Sequence, residues 1–178
     1  MRRQRFCRDL FYRGQAGQTY IATHEATGLV VKVRPDLLII SPKTGRRVMV
    51  DFKTTSAPDY AHFVATIEQY DYDRQTALYS DLLGAARFII IGVQKPRLKR
   101  LPQMPEVWQF EATAVPGLIE QGRKKYERLM KSFLQQQARV AGRHDAATVD
   151  HWALAGARSV GQPTGLPLKY KIITLLYG

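Results

Sequence analysis

Apolar residues along the chain fall into runs of two periods. Leu29, Val31 and Val33 alternate with Val30, Lys32 and Arg34, as in a half-buried strand. Thr19 to His24 reads as the strand before it, with Glu25-Ala26-Thr27-Gly28 as the connecting turn. Leu37 to Ile40 and Val48 to Val50 are solid apolar runs on either side of Ser41 to Arg47, whose Pro42 and Gly45 mark a turn, so they predict a second hairpin. The core is therefore expected to begin with three or four antiparallel strands in succession. Ser56-Ala57-Pro58-Asp59 is a helix entry, and a helical region follows from about Tyr60 to Leu83, closed by Gly84. Gln69-Tyr70-Asp71-Tyr72-Asp73 is poor helix material and predicts a break in its middle. Arg87 to Val93 is apolar almost throughout, the composition of a strand buried on both faces, and is expected beside the second hairpin. Val107 to Thr113 alternates as an outer strand. Pro116 stands where a helix accepts its first proline, and Leu118, Ile119, Tyr126, Leu129, Met130, Phe133 and Leu134 mark one apolar face to about Gln137. These elements predict an α/β domain, a mixed β-sheet flanked by helices, with its core over residues 19–140. Residues 1–18 carry no clear period and are expected as a basic arm or a truncated helix, and residues 141–178 as an extension of the same domain.

The second hairpin concentrates the chemistry. If its strands pair across the turn, Asp36 returns beside Asp51, and Asp51 and Lys53, two apart on one strand, share a face. Asp51 extends the apolar run Val48 to Val50, and a carboxylate buried there needs a partner or a metal. Two carboxylates and a lysine suit Mg²⁺ or Mn²⁺ chemistry on a phosphodiester: hard cations prefer oxygen, and they are often held by one or two protein carboxylates plus water and phosphate. Lys53 would hold a water or offset charge developing on the phosphate. The plainer alternative is an ion pair at a strand edge, with Asp36 ending a turn after Pro35.

Pro35-Asp36 followed by Asp51-Phe52-Lys53 resembles the PD-(D/E)xK nuclease pattern. The longer string Arg34-Pro35-Asp36, Asp51-Phe52-Lys53-Thr54-Thr55 and Tyr72-Asp73-Arg74-Gln75-Thr76-Ala77-Leu78-Tyr79 is similar to the RecE branch, the exonuclease VIII type related to RecB-like and lambda-type exonucleases. That resemblance runs from about Gly28 to Val93. It implies a restriction-endonuclease-like core and a metal-dependent exonuclease of duplex DNA in recombination or repair, with Asp36, Asp51 and the Phe52 carbonyl as metal ligands. It also implies Lys53 as the residue positioning water, and Gln75 and Tyr79 as residues that hold the site together. A homo-oligomeric ring and a recombination partner protein are implied in the same way. The family's upstream acid or histidine has only Asp9, His24 and Glu25 as candidates here.

Charge strengthens the nucleic-acid reading. The chain has 178 residues, enough for one domain with a real core, and 27 Lys and Arg against 15 Asp and Glu leave a net charge of +12, which favours a polyanionic partner. Candidate DNA-binding residues are Arg34, Arg46, Arg47, Thr54, Lys95, Arg97, Lys99 and Arg100. A nuclease-fold protein that binds DNA without cutting it, and a basic structural subunit, stay open as alternatives. The single Cys7 excludes an intrachain disulfide and a four-cysteine iron–sulfur cluster. No apolar run has the ~18 residues of a membrane span, and the basic start lacks a secretory apolar core, so a cytoplasmic setting is expected. His144, Asp145 and His151 match no usual metal-ligand spacing.

Overall fold

The computed structural model of the chain describes residues 5–95, 105–154 and 172–174, and for 141–154 and 172–174 the backbone alone. The elements in order are α1 (Arg5–Arg13), β1 (Gln15–Ala16), β2 (Tyr20–His24), β3 (Leu29–Val33), β4 (Leu37–Ile40), β5 (Arg47–Thr55), α2 (Tyr60–Gln69), α3 (Tyr72–Leu83), β6 (Ala85–Gln94) and β7 (Val107–Glu111). A short 3₁₀ turn (Ala112–Ala114), α4 (Leu118–Leu154) and β8 (Ile172–Thr174) complete them. The second hairpin forms as the apolar runs require. β4 pairs antiparallel with β5, Leu37 opposite Val50 and Leu38 opposite Met49. Gly45, at φ 66, takes the left-handed conformation that its turn demands. β6 lies parallel to β5 along its whole length, and the pair α2–α3 makes the crossover between them. With β1 on one edge and β7 on the other, the sheet runs β1-β4-β5-β6-β7: a mixed sheet flanked by helices, as the patterning predicts.

The period of two divides this sheet between two cores. Leu38, Met49, Phe88 and Ile90 face the larger core with Phe63 and Ile67 of α2 and Ala77 and Leu78 of α3. Leu37, Val50, Ile89 and Ile91 face the other side, where Cys7 and Leu10 of α1 cover them. Residues 5–13 are thus a packed helix rather than an arm, and Phe11 stacks on Phe52 with ring centroids 5.2 Å apart. The first hairpin departs from expectation in another way. β2 and β3 pair with each other, but β3's other neighbour is β8, in parallel, so the two hairpins belong to separate sheets. Arg34-Pro35-Asp36 interrupts the strand between them, and Pro35 has no N–H to continue a ladder.

The helical region breaks at Tyr70 and Asp71, the latter at φ 55, and Gly84 caps α3 in the left-handed conformation. α4 begins as expected but continues past Gln137 to Leu154. It lies close against α3: a Cβ on Gly122 would collide with the Asp73 carbonyl oxygen, so a larger residue there forces the helices apart. A polar seam fixes the pair. Lys125 Nζ reaches Asp71 and the fully buried Asp73 at 2.9–3.2 Å, and Asp81 accepts from both Arg123 nitrogens at 2.8 Å and from the Tyr126 hydroxyl at 2.6 Å.

Burial alone would raise the Asp81 carboxyl, but the hydrogen bonds from Arg123 and Tyr126, with the neighbouring Arg123 and His24 charges, outweigh it and hold Asp81 below the usual carboxylate range. A lowered folded value makes the charged carboxylate's contribution present above the unfolded value and lost as pH falls through the folded one. Asp81→Asn is expected to lower stability by about 1–2 kcal/mol at pH 7. Urea unfolding from neutral pH down to below the ordinary aspartate range should show that gap shrinking. A gap that stays constant with pH would contradict the assignment.

Candidate functional site

The register that sets Leu37 opposite Val50 continues to place Asp36 beside Asp51, just before β4 begins and where β5 runs on. Asp36 is exposed and its Oδ2 accepts the Phe52 backbone N–H at 2.7 Å, so the carboxylate is pinned to the free flank of β5. In extended chain the N–H and C=O of one residue project to the same side, so the Phe52 carbonyl is aimed along that flank too. Asp51 and Lys53 share the face turned to α3, and a closed ring of contacts joins them to that helix. Lys53 Nζ is 2.8 Å from Asp51 Oδ2 and donates to Gln75 Oε1 at 3.0 Å, while Gln75 Nε2 donates to Asp51 Oδ1 at 3.1 Å. The same ammonium sits 4.5 Å from the centroid of the Tyr72 ring.

Asp51 is only 5% exposed, and burial pushes its carboxyl up, with Lys53 opposing that shift and the nearby Asp36 charge adding to it. Its Oδ2 is held by the Lys53 ammonium as a close ion pair. Burial also raises the Tyr72 hydroxyl, followed by the Asp51 charge. Beyond Lys53 the C-terminal end of β5 and the outer side of α2 enclose a groove of about 840 Å³, with Thr54, Tyr70, Tyr72 and Lys95 among its lining.

The structure therefore brings together Asp36, Asp51, Phe52, Lys53 and Gln75. Tyr79 lies one turn further along α3, buried in the core against Phe88. Of the DNA-binding candidates, Thr54 and Lys95 line the groove, whereas Arg34 donates to the Gly17 carbonyl at 3.1 Å. Arg46 and Arg47 sit at the opposite end of the hairpin from Lys53, about 20 Å away at strand rise, and Arg47 bonds the Leu83 carbonyl at 2.6 Å. Arg97, Lys99 and Arg100 lie outside the described residues, as do the side chains of His144, Asp145 and His151. None of the upstream candidates joins the site. Asp9 lies on α1 and pairs with Arg8, and His24 bonds Thr27 and packs edge-on against Tyr126; Glu25 sits in the first hairpin's turn. Among the described residues no three His, Cys, Asp or Glu side chains gather as a metal cluster. Sequence reasoning overlooked Tyr70 and the contact of Tyr72 with Lys53. Its available signal was the pair of tyrosines flanking the helix break.

A family described as PDDEXK-like domain of unknown function (DUF3799) matches residues 1–140. The chain belongs to this family. A solved structure from Eubacterium rectale, described as a "putative exonuclease", overlays with a TM-score of 0.50 and 20% identity, over 75% of this chain and 48% of that one. The structure of SSO0001 overlays with a TM-score of 0.35 and 12% identity, over 66% of this chain and 51% of that one. The chain spans about half the length of both solved structures, and no curated protein matches it. The fold shared with the Eubacterium rectale protein agrees with membership of the PDDEXK-like family. No described helix is long and apolar enough to cross a membrane.

In this PDDEXK-like domain the donor set fits a hard divalent cation. Asp36 and Asp51 supply two neighbouring carboxylates, and water and phosphate oxygens would complete the shell. Gln75 is the hinge of this arrangement, since it satisfies Asp51 and Lys53 at once. Gln75→Ala leaves a buried carboxylate oxygen without its donor and is expected to cost about 1–3 kcal/mol in urea unfolding. An unchanged midpoint would mean that the ring contributes nothing to holding Asp51.

Proposed function

We propose that the protein is a Mg²⁺- or Mn²⁺-dependent deoxyribonuclease, and that it acts as an exonuclease on duplex DNA ends in recombination or repair, as its resemblance to RecE-type enzymes implies. The observation that carries this reading is the placement of Asp36 and Asp51 beside a lysine that is already charge-paired, hydrogen-bonded and open to a groove. The bound cation would supply Lewis-acid polarisation of the scissile phosphate and a lowered pKa for water. Asp36, Asp51 and the Phe52 carbonyl would hold it. Lys53, whose ammonium is oriented by Asp51, Gln75 and the Tyr72 ring, steadies the attacking water and offsets charge growing on the phosphate oxygens. Water oxygen bonds to phosphorus in line with the leaving oxygen, the P–O ester bond breaks, and the water's proton leaves to solvent while the leaving oxygen is protonated. Gln75 keeps Asp51 and Lys53 in register through the step. The net charge of +12 draws the polyanion to the site.

Release of acid-soluble nucleotides from linear and covalently closed duplex DNA tests the reading, with Mg²⁺, Mn²⁺ or EDTA. Metal-dependent loss of linear DNA alone is expected, reduced about 10²–10³-fold in Lys53→Ala and at least as far in Asp51→Ala. Cutting of closed circles would keep the site and remove the end-dependence. A folded wild type that binds DNA in a salt-dependent way but never cuts it would turn the assignment to a DNA-binding module.

A further inference from the structure

The two tyrosines beside the site are arranged in a way that an ordinary helix would forbid. At 3.6 residues per turn, positions two apart leave a helix on nearly opposite sides. Tyr70 and Tyr72 instead have ring centroids 5.8 Å apart with planes tilted by 43°. The cause is Asp71, the described non-glycine residue with positive φ, whose left-handed backbone turns the chain between α2 and α3. That strained conformation is held from two sides, by Arg74 at 3.3 Å and Lys125 at 3.0 Å on the Asp71 carboxylate. Both rings line the groove, and the inner one, Tyr72, carries the Lys53 ammonium at 4.5 Å. The outer one, Tyr70, is 54% exposed. A tyrosine there for packing alone would be buried; this one presents a ring to the groove and is braced from behind by a second ring.

Accepting Lys53 as the residue that meets the scissile phosphate, as proposed above, the Tyr70 ring stands within a nucleotide's reach of that phosphate. A base inside a duplex is stacked above and below and has no free face to offer. An unpaired base does, and stacking on an aromatic side chain is how proteins hold it without reading its identity. Lys95 and the hydroxyl of Thr54 along the same groove suit the sugar–phosphate of that strand.

We propose that Tyr70, braced by Tyr72, is a base-stacking subsite for an unpaired nucleotide adjoining the scissile phosphate, so that the groove receives a single DNA strand: an overhang or a frayed duplex end. The subsite takes any base, since a π-face carries no sequence. Its hydroxyl is dispensable and its ring is required.

Binding of single-stranded oligonucleotides carrying a fluorescent adenine analogue near one end, in EDTA so that nothing is cut, tests this directly. Wild type, Tyr70→Phe and Tyr70→Trp are expected to bind and quench the analogue. Tyr70→Leu should bind about five- to a hundredfold more weakly without quenching, the effect of losing one stacked base. Because Tyr70 is exposed, the leucine variant should keep the wild-type unfolding midpoint. With Mg²⁺ or Mn²⁺ the same variant should raise KM on overhanging ends and leave kcat nearly unchanged, the mark of a binding rather than a chemical contact. Quenching and binding in Tyr70→Leu equal to wild type overturn the subsite, as does a wild type that neither binds nor quenches the strand. A wild type that quenches fully yet never hydrolyses DNA with either metal overturns the nuclease reading and leaves the subsite standing.

Discussion

The arrangement depends on the register of one hairpin. Side chains on a strand alternate with a period of two, so a slip of one residue between β4 and β5 would exchange every inward and outward position. The pairing of Leu37 with Val50 and Leu38 with Met49 is enforced from both faces at once, because each face buries its own apolar set. A slip would exchange the two sets between cores with different partners, α2 and α3 on one side and α1 on the other. Asp36 and Asp51 then come together as a consequence of hydrocarbon packing two residues away, and Asp51 is carried under α3 with Lys53 beside it. The chemistry is positioned by residues that take no part in it.

Burying Asp51 works against the fold, as its raised carboxyl indicates: lost hydration outweighs what Lys53 returns. In the ring around it, Gln75 gives its amide hydrogen to one Asp51 oxygen and takes a proton donor from Lys53, while the other Asp51 oxygen is ion-paired with Lys53. Two carboxylates brought together in this way suit a hard cation. Burying this carboxylate is a local cost to the fold, and it is of the kind that sites with a function retain where pure packing would remove them.

Much of this was legible in the sequence, because the hairpin is defined by local signals. Two apolar runs of strand length, a Pro and Gly turn, and the positions of Asp36, Asp51 and Lys53 within them suffice. The crossover strand Arg87 to Val93 and the break after Gln69 are equally local. What escaped was either nonlocal or short. Whether β3 continues into the sheet of β4 depends on partners such as β8, about 140 residues away in sequence, and no period reports that. In α1 the pairs Phe6/Leu10 and Cys7/Phe11 do stand at helical spacing and mark an apolar face, but the segment is only nine residues long and its arginines read as a basic arm. Tyr79 sits on the same face of α3 as Gln75, and spacing cannot tell which turn meets the sheet edge; the structure puts Gln75 at Lys53 and Tyr79 against Phe88. Arg46 and Arg47 show the converse relation. They are near the motif in sequence and a strand's length from it in space.

Helix α4 has no residue in the ring around Asp51, yet it governs where α3 begins. Gly122 lets the two backbones approach so closely that the Asp73 carbonyl would collide with any Cβ, and Lys125 then reaches both Asp71 and Asp73 across the contact. Lys125 thereby ties the left-handed residue that starts α3 to a second helix, and the start of α3 fixes the azimuth of every side chain that follows. Tyr72 lies one residue past that start, and Gln75 three further on, on the same face. A shift at the α3–α4 contact would therefore reach Lys53 twice, through Gln75 Oε1 and through the Tyr72 ring. The seam between two helices and the acid pair at the end of a hairpin are in this sense one mechanical unit, joined through a single strained aspartate.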